Sequence, residues 1–211
     1  MSSNTSSAGV SLEAWAGEVR VNLIRLLGLV VFYSHHLLQY HFLKDDTWRT
    51  SEYHQAVTAV MMAWGGMVAL LHLLTIREAG PWANWRDKPW IKYVVTIMDL
   101  LFIFSLVSLH PEGARGPMTL LLFLVVAAAP VRFSLRLVYV ATLGAMLTFV
   151  LLVGTNYTQL GAVRYYAPEN VRRVPRPQQA IMLLCLGGAG LLAGQVVRQS
   201  RRLLRAGGSH A

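Results

Sequence analysis

An ionisable side chain inside a long apolar run is costly, and by default it marks a place where chemistry or coupling happens. One acid in this chain meets that description. Asp99 lies about eight residues into an apolar stretch, roughly 12 Å from its near end at 1.5 Å per residue. Two basic groups sit at comparable positions in neighbouring stretches: Arg25, four residues after Val21, and His72, four residues before Ile76. An isolated carboxylate at that depth needs a counter-charge, and Arg25 or His72 is the natural partner. Arg25, His72 and Asp99 therefore form a candidate inner polar cluster. It either locks helix packing or serves as a switch or proton relay.

The histidines are the second constellation. Six of the seven, His35, His36, His41, His54, His72 and His110, fall in or at the edges of the first three apolar stretches. His54 and His72 are eighteen residues apart, five whole helical turns, and so share a face. Arg25 and His36, eleven apart, share a face of the first stretch, with Tyr40 one turn beyond. Neutral imidazole is a good axial ligand for haem iron. A bis-histidine haem b site would draw on His36, His41, His54 and His72. His41 matches His54 in depth at the outer edge, and His36 matches it if the second helix enters the membrane one turn late. His72 has no second histidine at its depth. Two other readings of these residues stand beside haem. They are interfacial side chains bonded to headgroups, backbone or water, or His41, His54 and His110 hold zinc or copper.

These residues ride on an unusual chain. It has 211 residues, 55% hydrophobic and 14% charged, where a soluble domain is about a quarter charged. Tyr93 to Leu109 carries one charge, and Met118 to Val131 and Leu137 to Asn156 carry none. Six stretches approach the ~20 residues needed to cross a bilayer: Val21–Leu43, His54–Ile76, Trp90–Leu109, Pro117–Phe133, Leu135–Asn156 and Gln179–Val197. The expected fold is an all-α integral membrane bundle of six helices. Residues 1–20 form its lead-in, a disordered Ser-rich start at Met1 to Ala8 and a short amphipathic segment from Glu13 to Arg20. Residues 21–197 are the membrane domain, and residues 198–211 a basic tail. The fourth stretch is the weakest. It spans if Arg132 and Arg136 snorkel to the headgroups, and its join to the fifth is a tight hairpin around Val131–Leu135.

The net charge of +9 is not a nucleic-acid signature, because the basic residues sit at the ends of apolar runs. They report orientation instead. With both termini inside, twelve Lys and Arg fall on the inner side and seven on the outer, which favours N-in and C-in. Trp82, Trp85 and Trp90 on the inner side and Trp48 and Tyr53 on the outer read as aromatic belts. No cleavable signal peptide is expected. Cys185 is the only cysteine, so neither an intrachain disulfide nor a cysteine-cluster metal site can form. There is no nucleotide-binding loop, catalytic triad or paired catalytic carboxylate, and no enzymatic activity is expected. In the last stretch Gly190 and Gly194 make a GxxxG pair, which lets helix backbones approach closely in lipid. It serves either packing within the chain or a homodimer.

Several segments together resemble the six-helix membrane anchor that precedes the catalytic domain of bacterial class III adenylate/guanylate cyclases. They are FYSHHLLQYHF, HQAVTAVMMAW, KYVVTIMDLLF, RFSLRLVYVATLGAM, RVPRPQQ and GQVVRQSRRLL, covering roughly Arg20 to Arg205. The resemblance implies a sensor or anchor in a bacterial-type inner or energy-transducing membrane. It also implies His36, His54 and His72 as haem b positions, and a signal passed to a separate protein. Cyclase activity is not expected to carry over, since these segments resemble the anchor alone. A lipid-like ligand is the alternative to haem. A structural subunit of a respiratory or photosynthetic complex is the alternative function. A small transporter is the third reading, disfavoured by the scarcity of intramembrane charge.

Overall fold

The computed structural model describes residues 4–42, 51–76, 90–110, 113–158 and 174–207. Among these it contains six α-helices and no strand. They are α1 (Asn4–His41), α2 (Ser51–Ile76), α3 (Ile91–Leu109), α4 (Leu120–Ala128), α5 (Leu135–Thr158) and α6 (Arg176–Gly207). Five of them are long and apolar enough to cross a membrane, so the chain has the character of a multi-pass membrane protein. The loop arginines Arg164, Arg172 and Arg173 and the belt residues Trp48, Trp82 and Trp85 lie outside the described residues.

Two expected boundaries are corrected. Asn4 to Ala8 is helical rather than disordered, and the segment from Glu13 to Arg20 is the continuous start of α1 rather than a separate lead-in. Nothing between Asn4 and Val21 breaks a helix: there is no proline, and Gly9 and Gly17 are single. At the other end the tail does not begin at Arg198. α6 continues to Gly207, 32 residues in all, or about 48 Å. That exceeds the ~30 Å hydrocarbon core and carries the arginines out on a helix.

The fourth stretch is shorter than its neighbours. Only Leu120–Ala128 is α-helical. One 3-10 turn, Pro117–Thr119, precedes it and another, Ala129–Arg132, follows it. A 3-10 turn rises ~2.0 Å per residue against 1.5 Å in the α form, so these sixteen residues reach about 28 Å. The proline at position 130 sits near the start of the second 3-10 turn, where a missing N–H costs least. Leu121, Leu122, Val125 and Val126 are all buried, so one side of α4 packs against other helices, while Leu120 is exposed. The expected hairpin is present. It turns at Phe133, whose φ of 50° is the one left-handed non-glycine backbone among the described residues.

Glycine sets two close approaches. A Cβ on Gly17 would fall 2.8 Å from the Val131 carbonyl oxygen, so α1 lies directly on the backbone of the α4–α5 corner. A Cβ on Gly190 would fall 2.8 Å from Thr142 Cβ, and one on Gly194 would lie 3.5 Å from Leu135. Gly190 and Gly194 thus pack α6 against α5 within one chain. Gly187 and Gly188, by contrast, face open space.

This arrangement makes the glycines separable by experiment. Gly190→Ala should lower stability by about 1–3 kcal/mol through overpacking, and Thr142→Ala should restore part of it. Gly187→Ala should be neutral or stabilising by up to ~1 kcal/mol, the helix-propensity difference. Thermal melts in detergent measure both.

Candidate functional site

The inner polar cluster forms where α1, α2 and α3 meet. Arg25 projects from α1 and Asp99 from α3, and both are buried, Asp99 to 3% exposure. Asp99 Oδ2 accepts from Arg25 Nε at 2.8 Å and lies 2.6 Å from Arg25 Nη2. Its other oxygen, Oδ1, accepts from the Trp64 indole N–H of α2 at 3.0 Å. Arg25 Nη1 donates to Asn22 Oδ1 at 2.8 Å, one turn earlier on α1. Charge and hydrogen bonding are both satisfied, which is the condition for holding an ion pair away from water.

Of the two expected partners, Arg25 is therefore the one found. His72 is half-buried near the C-terminal end of α2 and takes no part in the Asp99 contacts. The expectation that Arg25, His72 and Asp99 form one cluster is corrected: Trp64 occupies the α2 corner. Sequence held a signal for it. Trp64 is a tryptophan in mid-span rather than at an interface, and a buried indole N–H seeks an acceptor.

Arg132 is the second correction. Its side chain does not snorkel outward; it is 5% exposed and pairs with Glu18 Oε2 of α1 at 2.7 Å. Nη1 donates to the Lys92 carbonyl at 3.3 Å and reaches Thr96 Oγ1 at 3.5 Å. Fixed acceptors at the end of the helix packing outcompete the headgroup region. Arg136, by contrast, is exposed. Arg132 Nε is buried with no hydrogen-bond partner. Arg132 also lines a cavity of about 20 Å³ that it shares with Arg25, Asp99, Thr96 and Trp64. That volume admits one water molecule, given the ~10–15 Å³ a water requires.

At the far end of α1 and α2 the histidines gather with tyrosines. His36 Nε2 and His54 Nδ1 are 3.1 Å apart, and their rings are parallel within 9° at 5.2 Å. Tyr40 stacks on His54 at 4.1 Å, Tyr53 meets His36 edge-on at 5.6 Å, and His41 lies 6.1 Å from His54. The His36–His54 bond requires an unprotonated nitrogen on one ring. His72 sits near the other end of α2, five helical turns from His54.

As placed, the His36 and His54 nitrogens lie closer together than two axial imidazoles across one iron would. Two axial imidazoles must hold their ligating nitrogens about 4 Å apart across the iron, from metal–nitrogen bonds of ~2 Å, with the macrocycle between the rings. Here the facing nitrogens bond each other directly and Tyr40 covers one face of His54. Nor, among the described residues, are three His, Cys, Asp or Glu side chains grouped to hold a metal ion. Comparison of the chain with protein-family models, curated proteins and solved structures finds no match.

Two outcomes test these sites. Asp99→Asn should destabilise the protein by ~3–5 kcal/mol, because Arg25 stays buried without its counter-charge. Adding Arg25→Gln should recover part of that loss and adding His72→Gln none of it, in a thermal-melt double-mutant cycle. Titration of haem into the purified protein should give no Soret band that is lost in both His36→Ala and His54→Ala.

Proposed function

We propose that the chain is a non-catalytic membrane sensor or anchor. It has six spans with both termini on the cytoplasmic side, and it couples its inner polar cluster to its C-terminal helix and so to a separate signalling protein. The single observation that carries this reading is the corner at Arg132–Phe133. Arg132 shares the cavity with the Arg25–Asp99 pair. The next residue, Phe133, presents its carbonyl oxygen to Arg201 of α6, which donates from Nη2 at 2.7 Å and from Nε at 3.2 Å. A change in the charge or hydration of the cavity therefore has a short covalent and hydrogen-bonded route to the output helix.

The same corner supports the topology. Glu18, near the start of the chain, and Arg201, near its end, both reach residues 132–133. Both termini then belong to one end of the helix packing, which requires an even number of crossings. Six spans with N-in and C-in satisfy that and the distribution of basic residues. The bacterial-type plasma or energy-transducing membrane and the separate partner come from the resemblance to cyclase anchors. The ligand at the inner cluster is a small polar one the size of a water molecule.

A second reading, a structural subunit of a larger membrane complex, is favoured by one feature. Gly65 and Gly66 on α2 and Gly187 and Gly188 on α6 leave backbone open to a neighbour, and small residues admit close helix contacts in lipid.

Hydrogen exchange on the full chain in nanodiscs decides between them. If the cluster is coupled to α6, Asp99→Asn should accelerate exchange at residues 198–207 about fivefold, the equivalent of one net hydrogen bond of ~1 kcal/mol. Unchanged exchange there in a protein that melts lower would overturn the coupling. Reporter fusions at Ala211 and within residues 162–173 should fall on opposite sides of the membrane.

A further inference from the structure

We propose that Arg136, Arg198, Arg201 and Arg202 form a binding site for the headgroup of an anionic phospholipid. The site draws on two helices. Arg198 Nη2 of α6 donates to the Tyr139 hydroxyl of α5 at 3.1 Å, which fixes the two helix ends side by side. Arg136 stands one turn before Tyr139 on α5, and Arg202 one turn after Arg198 on α6. Arg201 bonds the Phe133 carbonyl through Nε and Nη2, leaving Nη1 for another acceptor. All four arginines are exposed, and among the described residues none has a carboxylate partner. The acid closest in the network, Glu18, is taken by Arg132.

A cluster of unpaired guanidiniums binds phosphate in bidentate fashion, and what lies beside this cluster identifies the molecule that carries the phosphate. Leu143 follows Tyr139 by one turn on the same face of α5, and Leu191 precedes Arg198 by two turns on the same face of α6. They are 66% and 69% exposed. Because the helices run antiparallel, with Gly190 against Thr142, both leucines lie at greater depth than the arginines. Charge at the helix ends and apolar surface one to two turns deeper complement an amphiphile with an anionic head. A soluble phosphate compound would use only the first of these features. The assignment is independent of coupling to the inner cluster.

The test is native mass spectrometry of the full chain released from nanodiscs containing equal phosphatidylglycerol and phosphatidylcholine. Phosphatidylglycerol should be retained preferentially. Arg136→Gln and Arg202→Gln, which remove no intramolecular bond, should each lower that preference about fivefold, the effect of one basic residue at an anionic surface. Helical circular dichroism and melting in phosphatidylcholine nanodiscs should stay at the wild-type values, which separates lost binding from lost folding. Equal retention of the two lipids, or an unchanged preference in both folded variants, overturns the proposal. So does displacement of the retained lipid by millimolar glycerol phosphate, which would identify a soluble anion as the ligand.

Discussion

A carboxylate that far inside an apolar helix has two options: lose its charge or acquire a fixed cation. In this chain Asp99 has the cation, and the arrangement of the first three helices follows from that. Its two oxygens bond in different directions, Oδ2 to Arg25 on α1 and Oδ1 to Trp64 on α2. Any sliding of one helix past the others by a turn, about 5.4 Å, would break at least one of these bonds. Apolar contacts alone resist such slippage poorly in lipid, where the surroundings are as apolar as the interface. The ion pair therefore sets register rather than adding bulk stability.

Around this point the fold makes a second, linked arrangement. Arg132 enters the same region from the α4–α5 corner and is held by Glu18 and by the Lys92 carbonyl. Two arginines and two carboxylates thus sit near one another with balanced charge, beside a cavity large enough for one water. The unpartnered Nε of Arg132 is satisfied if that water is present. Close contact of α1 with this corner depends on Gly17, since any side chain there would meet the backbone carbonyl of Val131. The corner turns at Phe133, and the strained left-handed backbone at that residue is held by the Arg201 bonds on its carbonyl.

The histidine and tyrosine group at the opposite end of α1 and α2 obeys a different physics. Its rings stack and bond to each other rather than framing an open slot. Aromatic and imidazole faces at 4–5 Å satisfy one another by packing. A flat cofactor would have to displace those contacts and the His36–His54 hydrogen bond before gaining its own.

Much of this was legible in the residues alone. Apolar runs of membrane-spanning length, the lone acid Asp99 and its two candidate cations, and the clustering of histidines on the first two stretches follow from composition and helical period. These are local or one-dimensional properties: length decides whether a helix spans, and 100° per residue decides which side chains share a face. The helical state of Asn4 to Ala8 was equally local, but a serine-rich composition obscured it. What the tertiary structure decided were the choices between partners at equal depth. Periodicity placed both Arg25 and His72 near Asp99, and only helix packing brought Arg25 to it and put Trp64 where His72 was expected. Arg132 had headgroups and Glu18 within reach, and the close approach of α1 at Gly17 turned it inward. Gly190 and Gly194 could have faced a second chain, and Thr142 and Leu135 of the same chain cover them instead. In each case the sequence lists the groups able to interact, while the angle at which one helix crosses another selects which of them meet.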